Sequence, residues 1–262
     1  MDHIQLILIT PPEARAAAVH FPVTLAHPLY RLGQGGHLFR STGAQGVRQG
    51  LMVIDDLDFD GTGDPFVFSS EVVQERLSRR FSGVILSFDH PPAAASLAMA
   101  ARLSSALSQR EIPLYLPEAY AAASQTAKIL ISSAISGGSL QQRLLDAAEQ
   151  YGRKRIVLDI ERVAADFTLP SPDGTGKPLT PEELHGLRKT HAPSVFFSNE
   201  LCSYYFTYMN GASNAHFVLF DELDSLRKKL HLARSLGISA ALLSYPEIAP
   251  WSNALFQPHT QQ

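Results

Sequence analysis

Short apolar runs that barely alternate with polar residues recur along this chain, separated by stretches of helical period. The runs are residues 4–9, 51–54, 84–88, 114–116, 129–131, 156–160, 195–197, 217–220 and 240–243. A strand tolerates such continuous hydrophobicity only when both of its faces are covered, as in a parallel sheet flanked by helices. The intervening segments carry helix signals. Residues 69–80 open with Ser69, Ser70 and Glu71, and 96–109 are rich in Ala and Leu. Ser139 and Gln142 form a capping box ahead of 140–151, and Gly152 closes that helix. Thr180-Pro181-Glu182-Glu183 is a fuller box, with proline at the first helical position. The last clear helix, 223–236, reaches Gly237 with Arg227, Lys228, Lys229 and Arg234 placed to favour its C-terminal dipole.

Repeated strand–helix units imply a parallel sheet, open or closed. Nine candidate strands in 262 residues predict an α/β fold. The expected form is a (β/α)8 TIM barrel, a single domain over 1–262, with one extra strand in a short insertion before the last helix–strand unit. An open doubly wound sheet is the alternative. It would carry a glycine fingerprint after the first strand, where Thr10-Pro11-Pro12-Glu13 stands instead. Residues 30–49, with Gly33, Gly35, Gly36, Gly43 and Gly46, and residues 169–177 read as loops.

Charge and composition narrow the function. A net charge of −3 gives no electrostatic reason to bind nucleic acid or an anionic membrane surface. No run reaches the roughly 18 apolar residues of a membrane span. The run at 4–9 lacks a basic leader and stops at Pro11-Pro12, so it reads as a first strand rather than a signal peptide, and the expected location is cytoplasmic. The single cysteine, Cys202, excludes an internal disulfide and a Cys-rich metal site, and its aromatic surroundings suit a small buried hydrophobe. No cofactor motif is present: there is no P-loop, no Gly-x-Ser-x-Gly elbow and no HExxH. His185 and His191 are spaced by six, which does not align two ligands on a helix face. Asp56-Leu57-Asp58-Phe59-Asp60-Gly61 resembles the start of a calcium loop, but Val67 holds the place of the twelfth-position Glu, so a solvated acidic turn is expected. Gly137-Gly138-Ser139 reads as a turn into a capped helix rather than an anion site. No metal and no cofactor are therefore expected.

In a barrel of this kind, the working end is at the C-terminal ends of the strands. The predicted strands end in Asp55 and Asp56, in Asp89 and His90, in Glu118, in Asp159 and Glu161, in Asp221 and Glu222, and in Tyr245 and Glu247. Convergent carboxylates of this kind suit acid–base work on a sugar or the binding of a divalent cation. Any one of them can equally be a cap for the helix that follows.

Phe81-Ser82-Gly83-Val84-Ile85-Leu86-Ser87-Phe88-Asp89 resembles the fourth strand of the family 18 glycoside hydrolases. The family pattern is aromatic-Asp-Gly-x-Asp-x-Asp-aromatic-Glu. The aromatics and Gly83 match; the acidic positions read Ser82, Ile85, Ser87 and Asp89. The resemblance continues in order over about 81–248. Ile112-Pro113-Leu114-Tyr115-Leu116-Pro117 resembles the fifth strand, 127–136 the sixth without the family's Met-x-Tyr-Asp, and 155–170 the seventh in the spore-cortex type. Residues 205–208 and 216–247 resemble the C-terminal run, with Tyr245 in place of the final-strand Trp.

The resemblance implies a saccharide ligand and assigns roles by position. The family's last Glu is the general acid, and the preceding Asp orients the substrate acetamido group that attacks the anomeric carbon. Here Asp89 stands for the acid and Ser87 for the orienting carboxylate. Aspartate is one methylene shorter, so its proton sits about 1–1.5 Å back, a misplacement that costs on the order of 100-fold. Ser87 supplies no charge for the developing oxazolinium. Asp159 and Glu161 also resemble the Asp-x-Glu end of the signature and, two apart on a strand, share one side.

Three readings stay open. The first is a degenerate barrel that binds a saccharide or small polar ligand with little or no hydrolase activity, a pseudoenzyme. The second is an active glycosidase with Asp89 as acid and Glu161, Glu118 or Glu247 as partner. The third is a non-catalytic scaffold. Asp89 and Glu161 are the catalytic candidates. Asp55, Ser87, Tyr115, Glu118, Asp159, Tyr245 and Glu247 are the candidate substrate-binding residues. A cytoplasmic location argues against chitin or peptidoglycan as substrate, since those polymers lie outside the cell.

Overall fold

Seven of the nine apolar runs become parallel barrel strands in a computed structural model that describes residues 4–172, 174–211 and 214–256. β1 (Gln5–Ile9) and β2 (Thr24–Leu32) come first, and β3 (Leu38–Arg40) folds back antiparallel on β2. Then follow β4 (Leu51–Asp55), β5 (Gly83–Ser87), β6 (Leu114–Pro117), β7 (Lys128–Ser132) and β8 (Ile156–Ile160). An insertion carries β9 (Ala164–Leu169), β10 (Lys177–Pro178), β11 (Phe196–Ser198), β12 (Ser203–Met209) and β13 (Ala215–Phe220). β14 (Ala240–Ser244) returns to the barrel. β1 pairs in parallel with both β14 and β2, so the ring of eight strands closes. The expected TIM barrel is therefore the fold, and a closed ring excludes the open doubly wound sheet.

Two layers of apolar side chains hold the barrel together, because successive residues on a strand point to opposite faces. Ile7, Leu51, Val53, Ile85, Leu130 and Val157 fill the inside, with Tyr115 among them. The alternate positions, such as Leu8, Met52, Ile54, Val84 and Leu86, face outward. There they meet Phe68 and Val72 of helix Pro65–Arg79 and Met99, Leu103 and Leu107 of helix Ala94–Ser108. Each such side chain, fully buried, contributes about 1.5–3 kcal/mol.

The eighth barrel strand is β2, in a stretch without a continuous apolar run. Its sequence, TLAHPLYRL, is interrupted by His27, Pro28 and Arg31. Pro28 has no amide proton to donate, and the register with β4 shifts between Pro28 and Tyr30. The strand also runs into the glycine-rich stretch read as a loop, which holds β3 as well.

The runs at 195–197 and 217–220 lie in the insertion, not in the barrel. Its five antiparallel strands are ordered β10-β9-β13-β12-β11. Helix Pro181–His191, closed by the predicted Thr180–Glu183 box, sets Leu184 against Phe206, Val218 and Phe220. The insertion stands where expected, ahead of helix Leu223–Ser235 and β14, but it is a small subdomain rather than a single extra strand.

A buried ionic clasp joins the insertion to the barrel. Lys229 of helix Leu223–Ser235 donates to Asp221 over 2.6 Å, with both side chains fully buried. Asp221 also accepts from Ser203 at 2.7 Å and from the Val163 amide at 2.9 Å. The residues where the chain leaves and re-enters the barrel are thereby tied to one carboxylate.

Candidate active site

Alternation along the strands decides what reaches the C-terminal mouth. Ile85 faces the inside, so Ser87 and Asp89 follow it on the same side of β5 and its continuation. On β8, Val157 is followed by Asp159 and then Glu161; on β7, Leu130 is followed by Ser132. These residues, with Glu118 at the end of β6, surround a cavity of about 300 Å³. Ile9, Ile85, Leu130 and Leu242 form its apolar part. No Lys, Arg or His is among its walls.

Asp159 is the most perturbed of these groups. Burial, then the nearby charges of Glu161 and Glu247, push its carboxyl up to about 8. It is thus a protonated hydrogen-bond donor at neutral pH. Glu161 accepts from Ser132 Oγ at 2.9 Å. Glu118 is neutralised by an ion pair with Arg143 from helix Leu140–Tyr151. Asp89 is exposed, and its amide donates to Asp56 Oδ1 at 2.9 Å. Asp56 is buried and also faces His90 Nδ1 at 3.3 Å. Phe88 beside it is anchored edge-on against Tyr120, ring centroids 5.3 Å apart. Asp89 is therefore fixed through its main chain while its carboxylate is left free at the mouth.

Five of the nine candidate residues meet at this cavity: Ser87, Asp89, Glu118, Asp159 and Glu161. The other four lie elsewhere. Tyr115 is buried inside the barrel, where burial raises its phenol above the ordinary range. Tyr245 packs against the layer between barrel and helices. Asp55 closes β4 in register with Ser87, and burial raises its carboxyl. Glu247 accepts from the Arg162 amide at 2.9 Å, and burial raises it too. Two participants escaped the sequence reading. Ser132 was legible, as the inward residue two beyond Leu130. Arg143 was not, since nothing local marks it as the partner of Glu118.

The acidic turn at 56–61 does not converge on a common point. Asp56 turns to Asp89 and His90, Asp58 to Arg31, and Asp60 to Thr62 and Gly35. Among the described residues no group of three or more His, Cys, Asp or Glu is arranged to hold a metal ion. Nor, among them, is any helix long and apolar enough to cross a membrane.

No protein-family model matches the chain. Solved structures do. A class V chitinase from Nicotiana tobaccum superposes with a TM-score of 0.68 at 12% identity, covering 97% of this chain and 97% of that one. The chain has the fold of the family 18 glycoside hydrolases. The Bacillus cereus spore cortex-lytic enzyme SleL matches with a TM-score of 0.66 at 14% identity, over 100% of this chain and 76% of that one. A GH18 chitinase from Cycas revoluta, solved in complex with (GlcNAc)3, matches with a TM-score of 0.59 at 13% identity, over 94% of this chain and 96% of that one. Within this family 18 fold, β5 is the fourth barrel strand and β8 the seventh, the order in which the motifs resemble the family.

Proposed function

We propose that this chain binds a saccharide or a similar neutral polyol at the barrel mouth and has little or no hydrolase activity. The observation that carries this reading is the mouth cavity itself. It offers hydroxyls from Ser87 and Ser132, a protonated carboxyl from Asp159 and acceptors from Glu161 and Asp89, over an apolar floor. Such a mixture suits a sugar ring, with polar edges and apolar faces. At about 300 Å³ the cavity lies at the lower end of small-molecule sites and suits one or two sugar rings rather than a long chain. The solved complex of a chitinase of the same fold with (GlcNAc)3 supports this choice of ligand.

Ser87 and Asp89 stand where the family chemistry needs two longer-reaching, charged groups. That argues for binding without turnover. One observation favours a rebuilt glycosidase instead: Asp159 holds its proton to about pH 8 beside Glu161. A protonated acid next to a carboxylate is the arrangement that general acid catalysis requires.

Calorimetric titration with N-acetylglucosamine oligomers, paired with an assay for released reducing ends, separates the readings. Saturable binding with no release is the expected result. Release abolished by Asp159→Asn but kept by Asp89→Asn would establish the rebuilt glycosidase. Absence of any saccharide binding would overturn both and leave a scaffold.

A further inference from the structure

A second cavity, of about 600 Å³, opens at the opposite end of the barrel. Thr24 and Leu25 at the start of β2, Gly50 just before β4 and Ser82 just before β5 belong to its walls. Its charged lining is entirely cationic. Arg15 and Arg48 line it, no Asp or Glu does, and neither guanidinium has an ion pair among the described residues.

His27 adds a buried polar group to the same wall. It is 4% exposed, and its Nδ1 is buried with no hydrogen-bond partner. Unpaired buried polar atoms are uncommon and call for an account. Gly50 leaves the space beside this ring open. It sits at φ 74, and a Cβ there would lie 3.1 Å from His27 Nε2 and 2.4 Å from the Leu25 carbonyl oxygen. The rest of the wall is apolar, with Ala16, Val19, Val23 and Leu25.

We infer that this cavity is a binding site for a small organic anion, whose phosphate or carboxylate head meets Arg15 and Arg48 and whose apolar body lies against Val19, Val23 and Leu25. Guanidinium forks match planar or tetrahedral oxyanions with two parallel hydrogen bonds each. Burial, then the charge of Arg15, holds the His27 imidazole down at about 4, so the ring is neutral in the empty cavity. A neutral ring can donate from one nitrogen to an oxyanion without adding a charge that must be desolvated. The site is independent of the barrel mouth, since its residues precede the strands rather than follow them.

The test titrates phenyl phosphate, inorganic phosphate and sodium chloride into the full chain at equal ionic strength. Heat and the ring resonances of His27 are both followed. Phenyl phosphate is expected to bind saturably with one site, inorganic phosphate at least several-fold more weakly, and chloride not at all. The His27 resonances should shift with the same saturation curve. The double substitution of Arg15→Gln and Arg48→Gln, at two partly or fully exposed side chains, should weaken phenyl phosphate at least tenfold and leave N-acetylglucosamine oligomer binding unchanged. No saturable binding of either phosphate, equal binding by the double variant, or saturation without any His27 shift would overturn the assignment.

Discussion

The barrel and its insertion solve the problem of burial in opposite ways. The barrel closes its hydrogen-bonding ring, covers both faces of every strand and fills them with aliphatic side chains. The insertion leaves its sheet open and relies on aromatic side chains and polar networks. Phe206 and Phe220 lie beneath its one helix, and on the same face His216 and Tyr208 both bond Asp166, at 2.9 and 2.7 Å. The two meet at few points, one buried and one exposed. The lesson is that the insertion's position over the barrel depends on electrostatics, whereas the barrel depends on packing.

The largest effect should come from the buried clasp. Lys229→Ala leaves the Asp221 carboxylate charged and unpaired, which should cost about 3–5 kcal/mol in urea unfolding. Trp251, over which Arg162 stacks at 4.9 Å, is the chain's one tryptophan and reports on the barrel side. We expect a single cooperative transition in the unmodified chain, and an earlier loss of amide protection in β9 to β13 in the variant. Equal protection across both regions would break the comparison.

Asp159→Asn should act in the other direction, within the barrel. The folded carboxyl keeps its proton up to about 8, while the unfolded chain releases it near the ordinary value of 3.8. Its contribution to stability is therefore complete below about 3.8 and is lost as pH rises toward 8. Asparagine removes that loss. The substitution should stabilise the protein by about 2 kcal/mol at pH 8 and by almost nothing at pH 3.5, read as a difference in melting temperature. A gain of equal size at both pH values would assign the effect to packing.

Smaller effects belong to the insertion alone. Thr180→Ala removes the cap that accepts from the Glu183 amide at 3.1 Å and should cost about 1 kcal/mol, with faster amide exchange confined to helix Pro181–His191. Arg188 reaches Glu222 at 3.0 Å, with both side chains 44% exposed, and lies over the Phe220 ring. Arg188→Ala should cost only about 0.5–1 kcal/mol in the same urea titration, despite crossing the same border as the clasp. A loss as large as that of Lys229→Ala would erase the distinction between buried and exposed contacts.

The contrast also explains what could be read from the residues alone. Strands covered on both faces announce themselves as unbroken apolar runs, and seven of eight barrel strands did so. β2 did not, because Pro28 and His27 interrupt it and its closure with β1 is a long-range fact. The strands β11 and β13 resembled barrel strands because their aromatic residues are apolar on both faces, although only one face meets the helix. At the mouth, Ser87, Asp89, Asp159 and Glu161 followed from a period of two. Tyr115 was placed one layer too high by the same count, since its strand starts deeper in the barrel. The pairing of Glu118 with Arg143, and the crowding that keeps Asp159 protonated, arise between elements distant in sequence.

The insertion's sheet also has two unlike borders. On one side stands β10, two residues long, where Pro178 has no amide proton to offer a further strand. On the other stands β11, three residues long, with Phe196 54% exposed. Any foreign strand that adds to this protein therefore has a single direction of approach, and self-association through backbone pairing is steered to the Phe196 border alone.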